Sequence, residues 1–379
     1  MNTTHHSDDQ LRRSLGIGRR SFLSTCTAVA AGAIAAPVLG ASPVQAAPRS
    51  GGTGRGHALV PADKRGIILY TVRDAIGRDP LSTSLPSGFR AVFEQLADFG
   101  YRQVEFAGYG QHANAPGGAS LESEAGARLL RRWLDDNGLR AQGNHGFIPG
   151  PWPLTTPDLD TFKRHLEIAN ILGMAHMGTG ADPTSSPYKA DWDVAADKWH
   201  ALGALARRAG LKLYTHNHDA AYDFLLDGGP LDAQGRPTRS SGIRKLEYFL
   251  SVTDPRLVWL EMDVFWAHVA QYKFRTYTAH DGSTKTNVFD PAGPVTRHNK
   301  RYPLFHAKDG VVNTANGMGY DMVPFGTGVI DYTTFFSRVG DRNYHNPMVE
   351  QDNAPSATDP GQSLENAAIG YRNLAALRR

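Results

Sequence analysis

In the segment Leu304-Phe305-His306-Ala307-Lys308-Asp309, a short apolar run leads directly into side chains that titrate or bind metals. Similar runs recur along the chain, and nearly all of them end in side chains of this kind. The candidate strands are residues 66–70, 103–106, 140–144, 175–178, 212–215, 257–262, 304–307 and 347–351. Short apolar runs bounded by polar residues are typical of the buried strands of a parallel sheet.

Segments with helical periodicity separate the candidate strands. Apolar residues recur at spacings of three and four over residues 121–134, and Asn137-Gly138 then provides a helix stop. Residues 162–172 and 193–209 are each closed by a glycine, and 364–377 form a fourth candidate helix. Eight strand-helix units over roughly 310 residues predict a closed (β/α)8 TIM barrel. No dinucleotide or Walker loop follows a strand, which disfavours a doubly wound sheet.

Residues 1–46 are predicted to be a twin-arginine export signal. Arg19-Arg20-Ser21-Phe22-Leu23 precedes a weakly apolar run over residues 25–41, and Val44-Gln45-Ala46 resembles a cleavage site. A membrane anchor is the alternative, but the run is short and Pro37 interrupts it. The prediction makes the twin-arginine machinery a partner, leaves no membrane span after cleavage, and places the protein outside the cell or in its envelope.

The net charge of +3 arises largely in this signal, which carries four arginines and two aspartates. The remaining chain is nearly neutral, which argues against a nucleic-acid partner. The single cysteine, Cys26, also lies in the signal, and the short apolar stretch before it disfavours its alternative role as a lipid-attachment site. Residues 47–65 are Gly-rich and predicted to be a disordered linker, and 66–379 are predicted to be the catalytic domain.

Polar residues at the strand ends would converge on one small circle at the carboxyl end of a barrel. Each has an ordinary structural role when taken alone: Glu105 as a partner of an arginine, His145 as a loop histidine, or Asp309 as a helix cap. Their coincidence at seven strand ends is what predicts a metal site. Histidine and carboxylate ligands without sulfur suit Mn²⁺, Zn²⁺, Co²⁺ or Mg²⁺.

These stretches resemble the xylose-isomerase-like TIM-barrel superfamily, the sugar phosphate isomerase/epimerase proteins, and most closely its secreted twin-arginine branch. The resemblance spans residues 66–377. It rests on the stretches 69–74, 104–109, 214–219, 261–266, 306–309, 325–331 and 349–352. Each motif is short, but the set is specific.

The resemblance implies one divalent metal, most commonly Mn²⁺. Its implied ligands on strands 6, 7 and 8 are Asp263, His306 and Glu350. Ketose epimerases place a glutamate on strand 5, where this chain has the sequence His-Asn-His. We predict His218 as the fourth ligand, with His216 and Glu105 as alternatives.

Such a site supports removal of the proton next to a sugar carbonyl through a metal-stabilised enediolate. The candidate catalytic residues are His145 and Glu350 as bases, Lys308 as a proton donor, and Glu105. The candidate substrate-binding residues are Tyr70, Arg73, His216, Trp266 and Phe325. Because phosphorylated sugars are chiefly cytoplasmic, export favours an unphosphorylated sugar or a keto-glycoside.

Two outcomes of this chemistry are predicted together. Reprotonation gives isomerisation or epimerisation, whereas loss of a β substituent cleaves a 3-keto-glycoside. Two other classes stay open: a non-catalytic carbohydrate-binding barrel, and a metal-dependent phosphodiesterase, which would need about three metals and a basic groove. The oligomeric state is left open.

Overall fold

The structure is a computed structural model that describes residues 56–150 and 152–379. The predicted export signal and the first part of the predicted linker lie outside the described residues. Within the described part of the chain, no helix is both long and apolar enough to cross a membrane.

Eight parallel strands form the wall of a barrel. They are β1 (Gly66–Ile68), β2 (Gln103–Phe106), β3 (Arg140–Asn144), β4 (His176–Thr179), β5 (Lys212–His216), β6 (Val258–Asp263), β7 (Leu304–Ala307) and β8 (Asn346–Val349). Hydrogen-bonded neighbours follow the order β3-β2-β1-β8-β7-β6-β5-β4. A parallel bridge between His145 and Gly178 links β3 to β4, and the Gly146 amide donates to the Gly178 carbonyl at 2.8 Å. The predicted TIM barrel is confirmed, with strand bounds correct to within two residues.

Helices follow the strands and form the outer layer. They are α1 (Gly88–Phe99), α2 (Glu124–Asp136), α3 (Thr156–Ile171), α4 (Lys189–Arg208), α5 (Lys245–Val252), α6 (Val264–Lys273), α7 (Tyr332–Val339) and α8 (Gln362–Ala376). The four helices predicted from periodicity are found, although α3 begins six residues earlier than predicted. Its start is fixed by the Thr155 cap, and its polar first turn carries no apolar periodicity.

Hairpins occupy the long inserts after three strands. Gly228–Leu231 pairs with Pro237–Arg239 after β5, and Thr276–Thr278 pairs with Thr284–Thr286 after β6. A third hairpin, Asp309–Val312 with Tyr320–Val323, follows β7. The first and third follow the carboxyl ends of strands, where active sites of barrels are built, whereas the second follows helix α6 and is bridged to the first between Ser240 and Ala279.

A small apolar layer fills the barrel below its polar end. It consists of Ile68, Tyr214, Leu304 and Met348, all fully buried. Ile68 pairs in register with Glu105, and Met348 with His306, so this layer borders the polar residues directly. The larger core lies between the strands and the helices.

The prediction of a disordered linker over residues 47–65 is wrong for its final residues. Leu59 and Val60 are 8% and 2% exposed, and the Leu59 amide donates to the Leu377 carbonyl at 3.1 Å. The Arg379 amide donates to the His57 carbonyl at 3.1 Å. Because these apolar side chains reach the core, residues 57–65 belong to the folded domain.

Candidate active site

The polar side chains meet at the carboxyl end of the barrel because of strand alternation. Glu261 and Asp263 are two residues apart on β6, so both point into the barrel. The same spacing relates His306 on β7 to Lys308 just beyond it. Glu350 follows β8, the neighbour of β7, and Glu105 on β2 completes the ring.

The outer cluster consists of Asp263, Glu350 and the Nδ1 side of His306, all buried. His306 Nδ1 lies 2.7 Å from Glu350 Oε2 and 3.9 Å from Asp263 Oδ2. The other carboxylate oxygen, Asp263 Oδ1, caps helix α6 by accepting from the Trp266 amide at 3.0 Å. That cap fixes the carboxylate and leaves its Oδ2 atom facing the cluster.

The inner cluster consists of Glu105, His145, His216, Glu261 and the Nε2 side of His306. Glu261 Oε2 lies 3.0 Å from His145 Nε2, 3.2 Å from His306 Nε2 and 3.5 Å from His216 Nδ1. Glu105 Oε2 lies 3.0 Å from His306 Nε2. The His306 ring therefore separates the two clusters and belongs to both.

Lys308 places a cation beside the outer cluster. Its Nζ atom lies 2.9 Å from Asp263 Oδ2, 2.8 Å from Glu350 Oε2 and 2.9 Å from Asp352 Oδ1. Burial lowers the pKa of Lys308, but these three carboxylates raise that pKa well above its ordinary value. The side chain is therefore an ammonium ion at neutral pH.

Burial and mutual charge set the protonation of the inner cluster. Burial raises the pKa of Glu105 to about 7, and the charge of Glu261 adds to this rise. Burial also raises the pKa of Glu261, but His306 and His145 hold this pKa well below its usual range. Burial lowers the pKa of His306, whereas Glu261 and Glu350 raise it well above normal. In the metal-free protein, the His306 imidazolium thus lies between the carboxylates of Glu261 and Glu350.

The free donor atoms of both clusters fit a divalent metal. Asp263 Oδ2, His306 Nδ1 and Glu350 Oε2 lie within 4.8 Å of one another, and their close partners are one another and the Lys308 ammonium. In the inner cluster, His216 Nδ1 and Glu261 Oε1 make no hydrogen bond. Buried donor and acceptor atoms are rarely left unsatisfied, so these atoms point to a bound cation. The nitrogen and oxygen set suits Mn²⁺, Zn²⁺, Co²⁺ or Mg²⁺.

His218, the predicted fourth ligand, lies outside both clusters. Its ring centroid is 5.0 Å from that of His216 and 5.4 Å from that of Trp266. His216 is closer to the outer cluster, since its Nε2 atom is 4.0 Å from Asp263 Oδ2. Burial lowers the pKa of His218, so its imidazole is neutral at neutral pH. Ligation of a metal by His218 stays a prediction.

Three of the predicted substrate-binding residues, Tyr70, Arg73 and Trp266, lie in helical segments that follow β1 and β6. The Arg73 guanidinium lies 4.0 Å from the Tyr70 ring centroid and donates to the Asp352 carbonyl at 2.9 Å. Trp266, in the first turn of α6, has its ring centroid 5.5 Å from Lys308 Nζ. These three side chains are half-buried, whereas His216 is buried in the inner cluster.

The prediction that Phe325 binds substrate is wrong. Phe325 is 1% exposed, and its ring centroid is 4.6 Å from that of Tyr332 in α7. The Asn373 side chain in α8 donates to the Phe325 carbonyl at 2.7 Å. Its loop folds back against the outer helices, so the ring joins the core.

Asp309 occupies the Gly-rich loop that follows β7. Its Oδ2 atom accepts from the Gly326 and Gly328 amides at 3.0 Å each, and its Oδ1 atom accepts from the Ile330 amide at 3.3 Å. Successive amides of this kind are what an anion-binding loop offers to a phosphate. Here a carboxylate of the protein already satisfies them.

Sequence reasoning did not assign Glu261, Tyr214 or Asp182 to the site. The signal for Glu261 was its two-residue spacing from Asp263, and the same spacing relates Tyr214 to His216. Asp182 lies on the loop after β4 and accepts from the His218 amide at 3.1 Å. No sequence pattern relates this loop residue to β5.

Asp182 gives the folded protein a measurable pH dependence. Burial raises its pKa from 3.8 to about 7, so between these values the folded state holds a proton that the unfolded chain has lost. The free energy of unfolding therefore falls as the pH rises through this range. We expect the wild type to lose roughly 1–3 kcal/mol more than Asp182→Asn between pH 5 and pH 8 in urea titrations. Parallel curves for the two proteins would contradict this assignment.

The chain is similar to known proteins both in its sequence family and in its fold. A family model described as a xylose isomerase-like TIM barrel matches residues 93–370. A sugar phosphate isomerase/epimerase from Parabacteroides distasonis superposes with a TM-score of 0.58 at 19% identity, covering 87% of this chain and 98% of that chain. A probable 3-DHS dehydratase from Bacillus anthracis superposes with a TM-score of 0.55 at 11% identity, covering 82% and 97%. At these identities the likeness is one of fold. No curated protein is significantly similar in sequence.

Proposed function

Because the chain belongs to the xylose isomerase-like TIM-barrel family, we propose that it is a metal-dependent isomerase or epimerase of an unphosphorylated sugar or keto-glycoside. The observation that carries the proposal is the outer cluster. There, Asp263, His306 and Glu350 bring one imidazole nitrogen and two carboxylate oxygens together in a buried group that can hold a metal ion. The non-catalytic barrel and the phosphodiesterase are less well supported, since the first needs no such cluster and the second needs a basic surface.

The surrounding side chains supply the groups that proton transfer requires. A divalent metal held by Asp263, His306 and Glu350 would stabilise negative charge on the carbonyl oxygen of the substrate. The neutral imidazole of His218 removes the proton on the neighbouring carbon, because its lowered pKa leaves a ring nitrogen free to accept it. The ammonium group of Lys308, held by three carboxylates, would place positive charge beside the substrate oxygen.

This assignment of the base differs from the sequence prediction. His145 Nε2 lies 3.0 Å from Glu261 Oε2. His145 Nδ1 packs against Gly180, where an added Cβ atom would lie only 2.6 Å from it. Both ring nitrogens therefore face other protein atoms. Glu350 is engaged by His306 and Lys308. His218 lies near the outer cluster but belongs to neither cluster. Its imidazole is therefore the one assigned as the base.

The substrate is proposed to carry no phosphate. The glycine loop after β7 is filled by Asp309, so its amides are not available for a phosphate group. Export by the twin-arginine route, with an extracellular or cell-envelope location, is part of the same proposal and rests on the Arg19-Arg20 motif. Manganese is the proposed metal, since two of the three outer ligands are carboxylates.

Cleavage of a 3-keto-glycoside by β-elimination is the second candidate. Tyr109 and Trp152 are 42% and 39% exposed on the loops after β2 and β3, and such rings would stack on an aglycone. Proton removal by His218 would be the same first step, and Lys308 or Asp352 would protonate the leaving oxygen.

A substrate panel separates the two reactions. The manganese-loaded protein is incubated with free ketoses, sugar phosphates and 3-keto-glucosides, and the products are identified by NMR. We expect conversion of unphosphorylated compounds only. New ketose isomers would indicate isomerisation or epimerisation, whereas release of the aglycone would indicate elimination. Conversion of sugar phosphates alone would contradict the proposed substrate class, and no conversion would favour a binding barrel.

A further inference from the structure

The inner cluster holds ligand atoms that the proposed reaction does not use. Glu105, Glu261 and His306 are fully buried, and His216 is 3% exposed. His216 Nδ1 makes no hydrogen bond, although it points at Glu261 Oε2 from 3.5 Å. Glu261 Oε1 is also unpaired. Buried polar atoms that lack a hydrogen-bond or metal partner lower the stability of the fold.

We propose that the inner cluster is a second metal site, with His145, His216, Glu261 and His306 Nε2 as ligands and Glu105 Oε2 as an additional donor. Distances between donor atoms support this. The pairs that involve Glu261 Oε2 or Glu105 Oε2 measure 3.0 to 3.5 Å. Ligands about 2.1 Å from a metal are about 3.0 Å apart in an octahedron and about 3.4 Å apart in a tetrahedron.

In the part of the chain that the structure describes, the two inner carboxylates have no lysine or arginine partner. Among the described residues, every ion pair made by Glu105 or Glu261 has an imidazole as its partner. Lys308 pairs with Asp263, Glu350 and Asp352 in the outer cluster and with neither inner carboxylate. The two buried carboxylates therefore form ion pairs only with histidines. Histidine binds a metal through its neutral imidazole.

Residues around the inner cluster hold the ligands in place. The Tyr214 hydroxyl donates to Glu105 Oε1, which leaves Oε2 facing His306. Hydrogen bonds of this kind orient ligating carboxylates in metal sites. With four or five protein donors the inner site has no open position, as in structural Zn²⁺ sites. The outer cluster has fewer donors and keeps positions for substrate.

His306 would join the two sites. Its Nε2 atom faces the inner cluster and its Nδ1 atom faces the outer one. When both sites are filled, both ring nitrogens bind metal and the ring protons pass to solvent. The inner metal then fixes the ring that the outer metal needs.

Metal counting tests the second site separately from the proposed function. The full chain is stripped with a chelator, loaded with excess Zn²⁺ and gel-filtered, and bound zinc is measured by elemental analysis. We expect two equivalents for the wild type, one for Glu261→Gln, and two for Glu365→Gln, a matched carboxylate-to-amide change at an exposed residue of α8. Circular dichroism checks that each variant is folded.

One equivalent in the wild type would overturn the second site, as would two equivalents in folded Glu261→Gln. Glu350→Gln reports on the outer site alone. If its zinc content equals that of the wild type while Glu261→Gln loses one equivalent, the second site stands and the metal placement in the proposed function fails. If only Glu350→Gln loses zinc, the outer site stands and the second site is overturned.

Discussion

Replacing Glu350 by glutamine is expected to lower turnover of the sugar substrate by about a thousandfold or more and to remove one equivalent of bound metal. The amide keeps the shape of the side chain but loses the charge that holds a cation beside Asp263 Oδ2 and His306 Nδ1. Electrostatic stabilisation of an oxyanion by a metal contributes several kcal/mol, and each 1.36 kcal/mol changes the rate about tenfold.

The control for this change is Glu365→Gln, because Glu365 is exposed in the first turn of α8. It should leave both turnover and metal content at wild-type values. Turnover is measured with saturating Mn²⁺, so that weak binding alone does not limit the rate. Wild-type turnover in Glu350→Gln would rule out the outer cluster as the reaction centre.

Replacing His218 by asparagine is expected to lower turnover about 10²- to 10⁴-fold, the usual contribution of a general base, with metal content unchanged. A base acts only when unprotonated, so wild-type turnover should fall as the pH drops through the pKa of His218. Burial places that pKa below its ordinary value of 6.5. The pH profile of kcat should show this acidic limb in the wild type and lose it in the variant.

The same variant decides between two roles of this histidine. If His218 were the fourth metal ligand that the sequence predicts, His218→Asn would lose metal as well as turnover. His57→Asn serves as the control, since His57 is exposed and lies outside both clusters. An unchanged rate in His218→Asn would show that His218 is not the base. The base would then be one of the inner histidines.

The barrel was predictable from sequence because its signals are local. Short apolar runs alternate with periodic segments, and barrel geometry then requires that strand ends share one face. For this reason Asp263, His306 and Glu350, which are distant in sequence, could be expected to meet. Strand alternation also relates His306 to Lys308, and it could have added Glu261 through its spacing from Asp263.

Side-chain directions beyond the strands were not predictable. His216 is the last residue of β5, so the pleat fixes its direction, whereas His218 follows the strand and takes its place from a bond to Asp182. Phe325 looked like a loop aromatic, but its loop folds back onto α7 and α8. Both outcomes depend on tertiary contacts that leave no pattern in the sequence.

The most direct test of the proposed chemistry is solvent deuterium exchange at the carbon next to the carbonyl. The manganese-loaded full chain is incubated in D₂O with an unphosphorylated ketose and with a 3-keto-glucoside, and the recovered sugars are examined by NMR and mass spectrometry. We expect deuterium at that carbon in the recovered substrate or product, and none with Glu350→Gln. Conversion of the substrate without incorporated deuterium would contradict proton abstraction by a solvent-exchanging base such as His218.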